Sequence, residues 1–259
     1  MHIDEANLTN LTGLWKKYGS QPINEDTRPL LHASKRWPHR CWLDMNTDGL
    51  SHTIPNHASD ITWLDKVPES AVIPVWPMIG TKEYRDTTPL ERKLIEKKWS
   101  CAFEQTAMYL DLKNDVYSSP TRQGFEVRLV RTPEDIKAWV DIGSEAFAYH
   151  IEYSVIENLY TDKDIKILLG WQDGRPVAAA LLYKTGNIIG IHQVGVKKDF
   201  QGQGIAKCFM QYIIEICALW QGKHLVLQAS QSGWPLYESL EFRVQFFIKN
   251  YQRKVPEAI

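Results

Sequence analysis

The sequence has little of what marks a membrane protein or a nucleic-acid-binding protein. Its 30 Lys and Arg residues and 31 Asp and Glu residues leave a net charge of −1, so no basic excess attracts nucleic acid or an anionic lipid surface. The longest wholly apolar run, residues 177–183, is too short to cross a bilayer. Residues 1–15 have no basic start followed by an apolar core. We expect no nucleic acid and no membrane among the partners, and a cytoplasmic protein.

The four cysteines lack the close pairing of a metal site. Cys41, Cys101, Cys208 and Cys217 show no C-x-x-C spacing, and we expect neither a disulfide nor a metal. Hydrophobic residues make up 44% of the chain, enough for substantial cores, and 259 residues favour two domains.

Two familiar nucleotide-binding loops are also missing. No glycine is followed by Lys and then Ser or Thr, which excludes a P-loop. A dinucleotide fingerprint fails because Lys207 occupies its third glycine position and the apolar Val226 stands where a ribose-binding acid would fall. What is present is residues 194–206, in which a β-branched run breaks into a turn with Gly202 and Gly204 and opens into an amphipathic helix. Backbone N–H groups at such a helix start favour an anion, and we expect a pyrophosphate.

The spacing Gln201-x-x-Gly204-x-Ala206 resembles the Q/R-x-x-G-x-G/A signature of the GNAT family of N-acetyltransferases. A second segment, Leu236-Tyr237-Glu238-Ser239-Leu240-x-Phe242, resembles that family's L-Y-x-x-L-G-F motif. The resemblance covers residues 125–251. It implies an α/β fold with a mixed sheet, the GNAT acyl-CoA N-acyltransferase fold, in the C-terminal half.

Hydrophobic periodicity and turn signals predict the elements around these motifs. Strands are expected at 125–131, 165–171, 176–183, 187–196, 224–230 and 242–251. Helices are expected from a Thr132 cap onward, at 153–160, from 205 to near 222, and at 235–240. Asp173-Gly174 and, more weakly, Thr185-Gly186 predict hairpin turns.

Residues 1–118 are predicted to form an N-terminal α/β domain, separated from a GNAT domain at 125–259 by a polar linker at 118–124. A helix is expected at 89–99 and strands at 41–45, 61–64, 71–78 and 106–112. This order could be a degenerate second GNAT-like copy, since tandem copies with one inactive half occur in the family.

The resemblance implies acetyl-CoA as cosubstrate. The residues that would bind it are Val194, Gly195, Val196, Gln201, Gly202, Gln203, Gly204, Ile205, Ala206 and Ser230. Lys197, Lys198 and Lys207 would face its phosphates. The sequence departs from the family at Glu241, where a glycine is usual, and lacks the asparagine that often precedes the short helix.

Acetyl transfer to a primary amine requires loss of an ammonium proton and protonation of the leaving thiolate. By resemblance, the Val196 N–H would stabilise the oxyanion and Tyr237 would be the acid. His192 is the first candidate for the base, Glu145 the second, and water alone the third.

We therefore expect an acetyl-CoA-dependent N-acetyltransferase that acts by direct attack in a ternary complex. The acceptor would be a small-molecule or peptide amine, and the sequence does not identify it. The alternatives are a noncatalytic acyl-CoA-binding regulatory or scaffold protein, and an acyltransferase for longer chains or a hydroxyl acceptor. The oligomeric state stays open.

Overall fold

The computed structural model describes residues 2–23, 30–44, 62–77, 89–113, 117 and 121–253. The chain divides into two compact units. The first is drawn from Met1–Met108, Gln228–Trp234 and Val244–Ile259, and the second from Tyr109–Leu227 and Pro235–Arg243. The boundaries 1–118 and 125–259 stay a prediction about which segments fold independently.

Within the described residues the helices are α1 (Ile3–Lys17), α2 (Pro89–Glu96), α3 (Pro133–Phe147), α4 (Tyr153–Glu157), α5 (Ile205–Leu219) and α6 (Trp234–Glu238). The strands are β1 (Gln21–Pro22), β2 (Leu30–Ala33), β3 (Cys41–Asp44), β4 (Ile73–Val75), β5 (Trp99–Asp111), β6 (Phe125–Leu129), β7 (Ile165–Gln172), β8 (Arg175–Thr185), β9 (Ile188–Val196), β10 (His224–Ser230) and β11 (Arg243–Arg253). Short 3₁₀ helices cover Thr62–Lys66 and Lys198–Phe200.

The second unit is built on strands in the order β10-β9-β8-β7-β6. β6 to β9 pair antiparallel in sequence, whereas β10 pairs parallel with β9, with His224 opposite Ile188. The crossover between the parallel strands is α5, as such a connection requires. Seven residues of α5 are buried, among them Cys208, Phe209 and Cys217. The apolar face expected from the sequence is confirmed.

Local signals account for the other elements of this unit. The Thr132 hydroxyl accepts the Asp135 N–H at 3.1 Å and the Asp135 carboxylate accepts the Thr132 N–H at 3.1 Å. This reciprocal cap starts α3 at Pro133. Asp173 and Gly174 have φ values of 51° and 75°, the left-handed pair that a two-residue hairpin between β7 and β8 requires.

In the first unit, β1, β2 and β3 form an antiparallel sheet, and β4 pairs antiparallel with β11. A core cluster that includes Leu31, Leu64, Leu94 and Trp99 fills this unit. The idea that it is a degenerate second copy stays a prediction.

Two sequence predictions in this unit were wrong. The strand expected at 61–64 is a 3₁₀ helix over the described residues, because the adjacent Trp63 and Leu64 both pack on the same core, which the alternating faces of a strand do not allow. The helix expected at 89–99 ends at Glu96, since Lys98 takes a left-handed φ of 65° and Trp99 begins β5. Residues 45, 61, 78 and 118–120, which also fell within predicted elements, lie outside the described residues.

All four cysteines are free thiols, and Cys101 is the exposed one. Across the described ranges, no helix is both long enough and apolar enough to span a bilayer.

Candidate active site

A β-bulge interrupts β9 just before the glycine loop. Ala179 lies opposite Gly195, but Leu181 lies opposite His192, so β9 holds one residue more than β8 across this stretch. Gln193 lies in the bulge and has a left-handed φ of 53°. Bulges of this kind bend a strand and change the direction in which the residues after it point.

Helix α3 supports the bulge from one side of the sheet. The Trp139 indole N–H donates to the Ala180 carbonyl at 2.9 Å, and Trp139 is fully buried. Ala180 is the β8 residue that the register skips opposite the bulge. A Cβ on Gly195 would come within 2.8 Å of the Ala146 Cβ, so α3 and β9 are in close contact here.

Backbone parity sets the direction of the Val196 N–H. The Lys197 N–H donates to the Val177 carbonyl at 2.9 Å. Along an antiparallel pair, the N–H and C=O groups of successive residues point alternately toward the paired strand and away from it. Val196, opposite Ala178, therefore directs its N–H away from β8. The role of this N–H as an oxyanion donor stays a prediction, and its direction is compatible with that role.

The loop that follows has the geometry of an anion cradle. Gly202 and Gly204 have φ values of 73° and 76°, which favour glycine. A Cβ on Gly202 would meet nothing within 4 Å, and one on Gly204 only the Arg122 guanidinium at 3.9 Å. The first hydrogen bond of α5 runs from the Cys208 N–H to the Gly204 carbonyl at 3.1 Å. The N–H groups of 205–207 thus precede the helical ladder at its positive end.

Side chains of the loop hold its shape. The Gln201 side-chain amide donates to the Val196 carbonyl at 2.9 Å, and the Gln203 amide donates to the Asp199 carbonyl at 2.9 Å. These bonds give both glutamines a positioning role inside the loop.

Arg122 also lies at this loop, and no motif of the sequence indicates it. Its guanidinium donates to the Gln203 carbonyl at 2.9 Å and to the Gln172 side chain at 3.0 Å. The guanidinium therefore lies beside the open space above Gly204. No spacing rule could have linked residue 122 with residue 203, because their contact exists only through the register of β6, β7 and β8.

Glu145 lies at the entrance of the loop. Its carboxylate accepts the Lys198 N–H at 2.8 Å, and the residue is exposed. The structure therefore brings Glu145, Gln201, Gln203 and Arg122 together around one turn. Lys197, Lys198 and Lys207 occupy the same segment, which makes the neighbourhood electropositive.

His192 is buried in β9, four residues before Val196. Burial lowers the pKa of His192 to about 3, because an enclosed site does not solvate the charged imidazolium. Its imidazole is therefore neutral throughout the physiological pH range.

Tyr237 lies in α6 and is largely buried. Its ring contacts the Phe242 ring edge-on, with centroids 5.8 Å apart. Burial raises the pKa of the Tyr237 phenol, so the hydroxyl keeps its proton at neutral pH. The following turn explains the departure at Glu241: this residue adopts a left-handed φ of 65°, the conformation for which glycine is favoured and which costs another residue about 1 kcal/mol.

Ser230, and Tyr149 near the bulge, each have local hydrogen-bond partners. The Ser230 hydroxyl accepts the Gly233 N–H at 3.1 Å and belongs to the first unit. In the second unit, the Tyr149 hydroxyl donates to the Gln193 side chain at 2.8 Å, and its ring stacks on Phe147 at 5.6 Å. Among the residues described, no group of three or more His, Cys, Asp or Glu side chains could hold a metal ion.

Comparison with known families decides the class. The Acetyltransferase (GNAT) domain family matches residues 121–253, which include the bulge, the loop and Tyr237. The chain belongs to this family. The GNAT α/β fold expected from the sequence is confirmed.

Solved structures support the GNAT fold over most of the chain. A GCN5-related N-acetyltransferase from Kribbella flavida is 14% identical, covers 97% of this chain and 95% of its own, and has a TM-score of 0.69. A functionally unknown conserved protein from Staphylococcus epidermidis is 16% identical, covers 91% and 95%, and has a TM-score of 0.62. At these identities the likeness concerns the fold. A search of curated proteins gives no match.

Proposed function

We propose that this GNAT protein is an acetyl-CoA-dependent N-acetyltransferase that transfers the acetyl group to a primary amine by direct attack in a ternary complex. The observation that carries the proposal is the loop between β9 and α5. It combines two left-handed glycines, unfilled space above both and the leading N–H groups of a fifteen-residue helix. A pyrophosphate fits such a cradle, since backbone donors and the helix dipole both favour negative charge.

The proposed coenzyme site extends from this loop along β9. The backbone of 194–196 would bind the pantetheine arm and 201–206 the pyrophosphate, whereas the role of Ser230, which belongs to the first unit, stays a prediction from the sequence. We add Arg122 as a phosphate-facing cation, because its guanidinium lies 3.9 Å from the point where a Cβ of Gly204 would be.

In the proposed reaction the amine nitrogen attacks the thioester carbonyl carbon. The carbon–sulfur bond then breaks and the sulfur leaves as the coenzyme thiolate. The Val196 N–H would stabilise the oxyanion because it points away from β8. Tyr237 would donate its proton toward the thiolate, and the proton that the nitrogen loses as the amide forms would return to Tyr237 through water. Since burial raises its pKa, we expect a strong hydrogen bond to the sulfur rather than a long-lived tyrosinate.

Removal of the ammonium proton is proposed to proceed through water. An imidazole with a pKa of about 3 is a weak acceptor: taking a proton from an ammonium of pKa about 10 costs about 10 kcal/mol. The Glu145 carboxylate accepts the Lys198 N–H, which favours a role in shaping the loop. His192 and Glu145 stay the alternative predictions for the base.

Calorimetric titration with acetyl-CoA tests the proposed site. We expect micromolar binding by the native protein and at least about 100-fold weaker binding by Gly204→Glu, which places a negative charge in the cradle. The matched control is Gly174→Glu, because Gly174 has a φ of 75° with nothing within 4 Å of its Cβ position, but lies in the β7–β8 turn. Equal binding by both variants would contradict the proposed cradle.

The second candidate function, a noncatalytic acyl-CoA-binding protein, shares the loop and differs in chemistry. Tyr237→Phe separates the two, because it removes the proposed acid and retains the ring packed on Phe242. Under the catalytic proposal, turnover with an amine panel falls while acetyl-CoA affinity holds. If the native protein binds acetyl-CoA and acetylates no amine in the panel, the noncatalytic function is favoured.

A further inference from the structure

Strand β6 ends the sheet of the second unit. Among the described residues it pairs with β7 on one side, and no strand pairs with its other side. Its sequence, Phe-Glu-Val-Arg-Leu, contains neither proline nor lysine, and its register with β7 is regular. Proline, lysine and a bulge, three devices that protect an edge strand against pairing, are therefore missing from β6, and its two charged residues, Glu126 and Arg128, have opposite signs.

The hydrogen bonds that flank β6 show which backbone groups point outward. The Val130 N–H donates to the Ile167 carbonyl at 2.9 Å, and the Asp173 N–H donates to the Gly124 carbonyl at 2.8 Å. Both pairs continue the register in which Phe125 lies opposite Gln172. Even-numbered residues thus face β7, and residues 125, 127 and 129 direct their N–H and C=O groups outward. The Phe125 N–H is already bonded to the Arg122 carbonyl at 3.1 Å.

A second copy of β6 can pair with this edge antiparallel only if outward-facing residues meet one another. Three registers also pair at least two outward-facing residues of each strand, with residue 126, 127 or 128 on the two-fold axis. The first places Glu126 against Glu126 and the third places Arg128 against Arg128, both repulsive. The register centred on Val127 places each Glu126 opposite the other copy's Arg128. The charges therefore select one pairing, which forms about four hydrogen bonds between chains.

The apolar side of β6 fits the same pairing. The Phe125 ring contacts the rings of Phe209 and Tyr212 in α5, at 6.3 and 5.8 Å, so the odd-numbered residues lie on the α5 side. Val127 and Leu129 continue this side and line an open groove with Ile216. Leu129 is 38% exposed. Two copies would cover this apolar strip.

The two charges of β6 are paired within the sheet before any partner binds. Glu126 and Arg128 are half exposed and form an ion pair within the strand. The Arg128 guanidinium lies over the Trp171 ring of β7 at 4.5 Å, so pairing with a second copy would exchange the ion pair within the strand for two ion pairs between chains.

We propose that β6 is a homodimerisation edge, at which two copies of this chain join their sheets antiparallel about Val127 and exchange Glu126–Arg128 ion pairs. The occupant is a second copy because β6 is complementary to itself in charge and in hydrogen-bond register. Such an isologous contact closes at two subunits.

Charge reversal with cross-rescue tests the proposal on the full-length protein, with sedimentation equilibrium as the assay. In Glu126→Arg, two arginines would meet at each contact, and in Arg128→Glu, two glutamates. We expect each single variant to raise the dimer dissociation constant at least about tenfold. The double variant Glu126→Arg/Arg128→Glu and an equimolar mixture of the two single variants both restore opposite charges, and both should dimerise like the native protein.

Lys137→Glu is the matched control, because it reverses an exposed charge that is paired within α3, with Asp141, and is not part of β6. It should leave the dissociation constant unchanged. Circular dichroism and acetyl-CoA binding report on folding and on the coenzyme site separately. Each of three results would overturn the proposal. The first is a native protein that stays monomeric at 100 times the concentration of a typical activity assay. The others are single variants that dimerise like the native protein and a mixture of the single variants that fails to dimerise.

Discussion

Replacing Trp139 by Phe should reveal how much the support of the β9 bulge contributes to stability. Trp139 is fully buried, and its indole N–H donates to the carbonyl of Ala180 at 2.9 Å. Ala180 is skipped by the β8–β9 register. Phe keeps an aromatic ring in the site but removes the donor.

Two losses add up in this variant. A buried carbonyl left without its donor costs about 1–3 kcal/mol. The smaller ring leaves roughly 40 Å³ unfilled, which costs about 1 kcal/mol at ~24 cal/mol per Å³. We therefore expect a loss of about 2–4 kcal/mol, a large part of the ~5–15 kcal/mol that stabilises a typical folded protein.

Urea denaturation monitored by circular dichroism measures this loss of unfolding free energy. Trp42→Phe is the control, because Trp42 is also fully buried but its indole N–H has no hydrogen-bond partner among the described residues. The control should lose only the packing contribution of about 1 kcal/mol. An equal loss of unfolding free energy in both variants would refute a stabilising role for the Trp139 hydrogen bond at the bulge.

Three further predictions concern the site. The pKa of His192 is about 3 in the folded protein and about 6.5 in the unfolded chain. Because the unfolded chain binds this proton first as the pH is lowered, the free energy of unfolding should decrease by about 2 kcal/mol from pH 7 to pH 5. His192→Gln should remove that slope in urea titrations, and a slope unchanged from the native protein would contradict the lowered pKa. Glu145→Gln retains an acceptor for the Lys198 N–H, so it should keep native turnover while Glu145→Ala raises KM for acetyl-CoA; loss of kcat in the Gln variant would instead identify a base. Arg122→Gln should weaken acetyl-CoA binding about tenfold and leave the melting temperature within a few degrees, as calorimetry and thermal unfolding would show; unchanged affinity would remove Arg122 from the site.

The sequence motifs predicted the part of the site that depends on local conformation. Gly202 and Gly204 were expected to form a tight turn at a helix start, and both are left-handed directly before α5. Thr132, Pro133 and Asp135 predicted the start of α3. Turns and caps depend on neighbouring residues, so their geometry can be read from a few letters.

The sequence predicted elements less well where tertiary packing decides. A strand was expected at 61–64, yet Thr62–Lys66 forms a 3₁₀ helix that packs two neighbouring side chains on one core. Short apolar runs do not distinguish these outcomes, since burial overrides their intrinsic preference.

The sequence by itself determined the family motifs, the position of the glycine turn before α5 and the order of the elements from residue 125 onward. Only the tertiary structure decided that Arg122 lies beside Gln203, that Glu145 accepts the Lys198 N–H, and that the pKa of His192 falls through burial. It also decided that Val196 turns its N–H away from β8 and that β6 stands at an edge. The reason is physical: these properties arise from strand register and from burial by distant segments, and neither is encoded in the spacing of nearby residues.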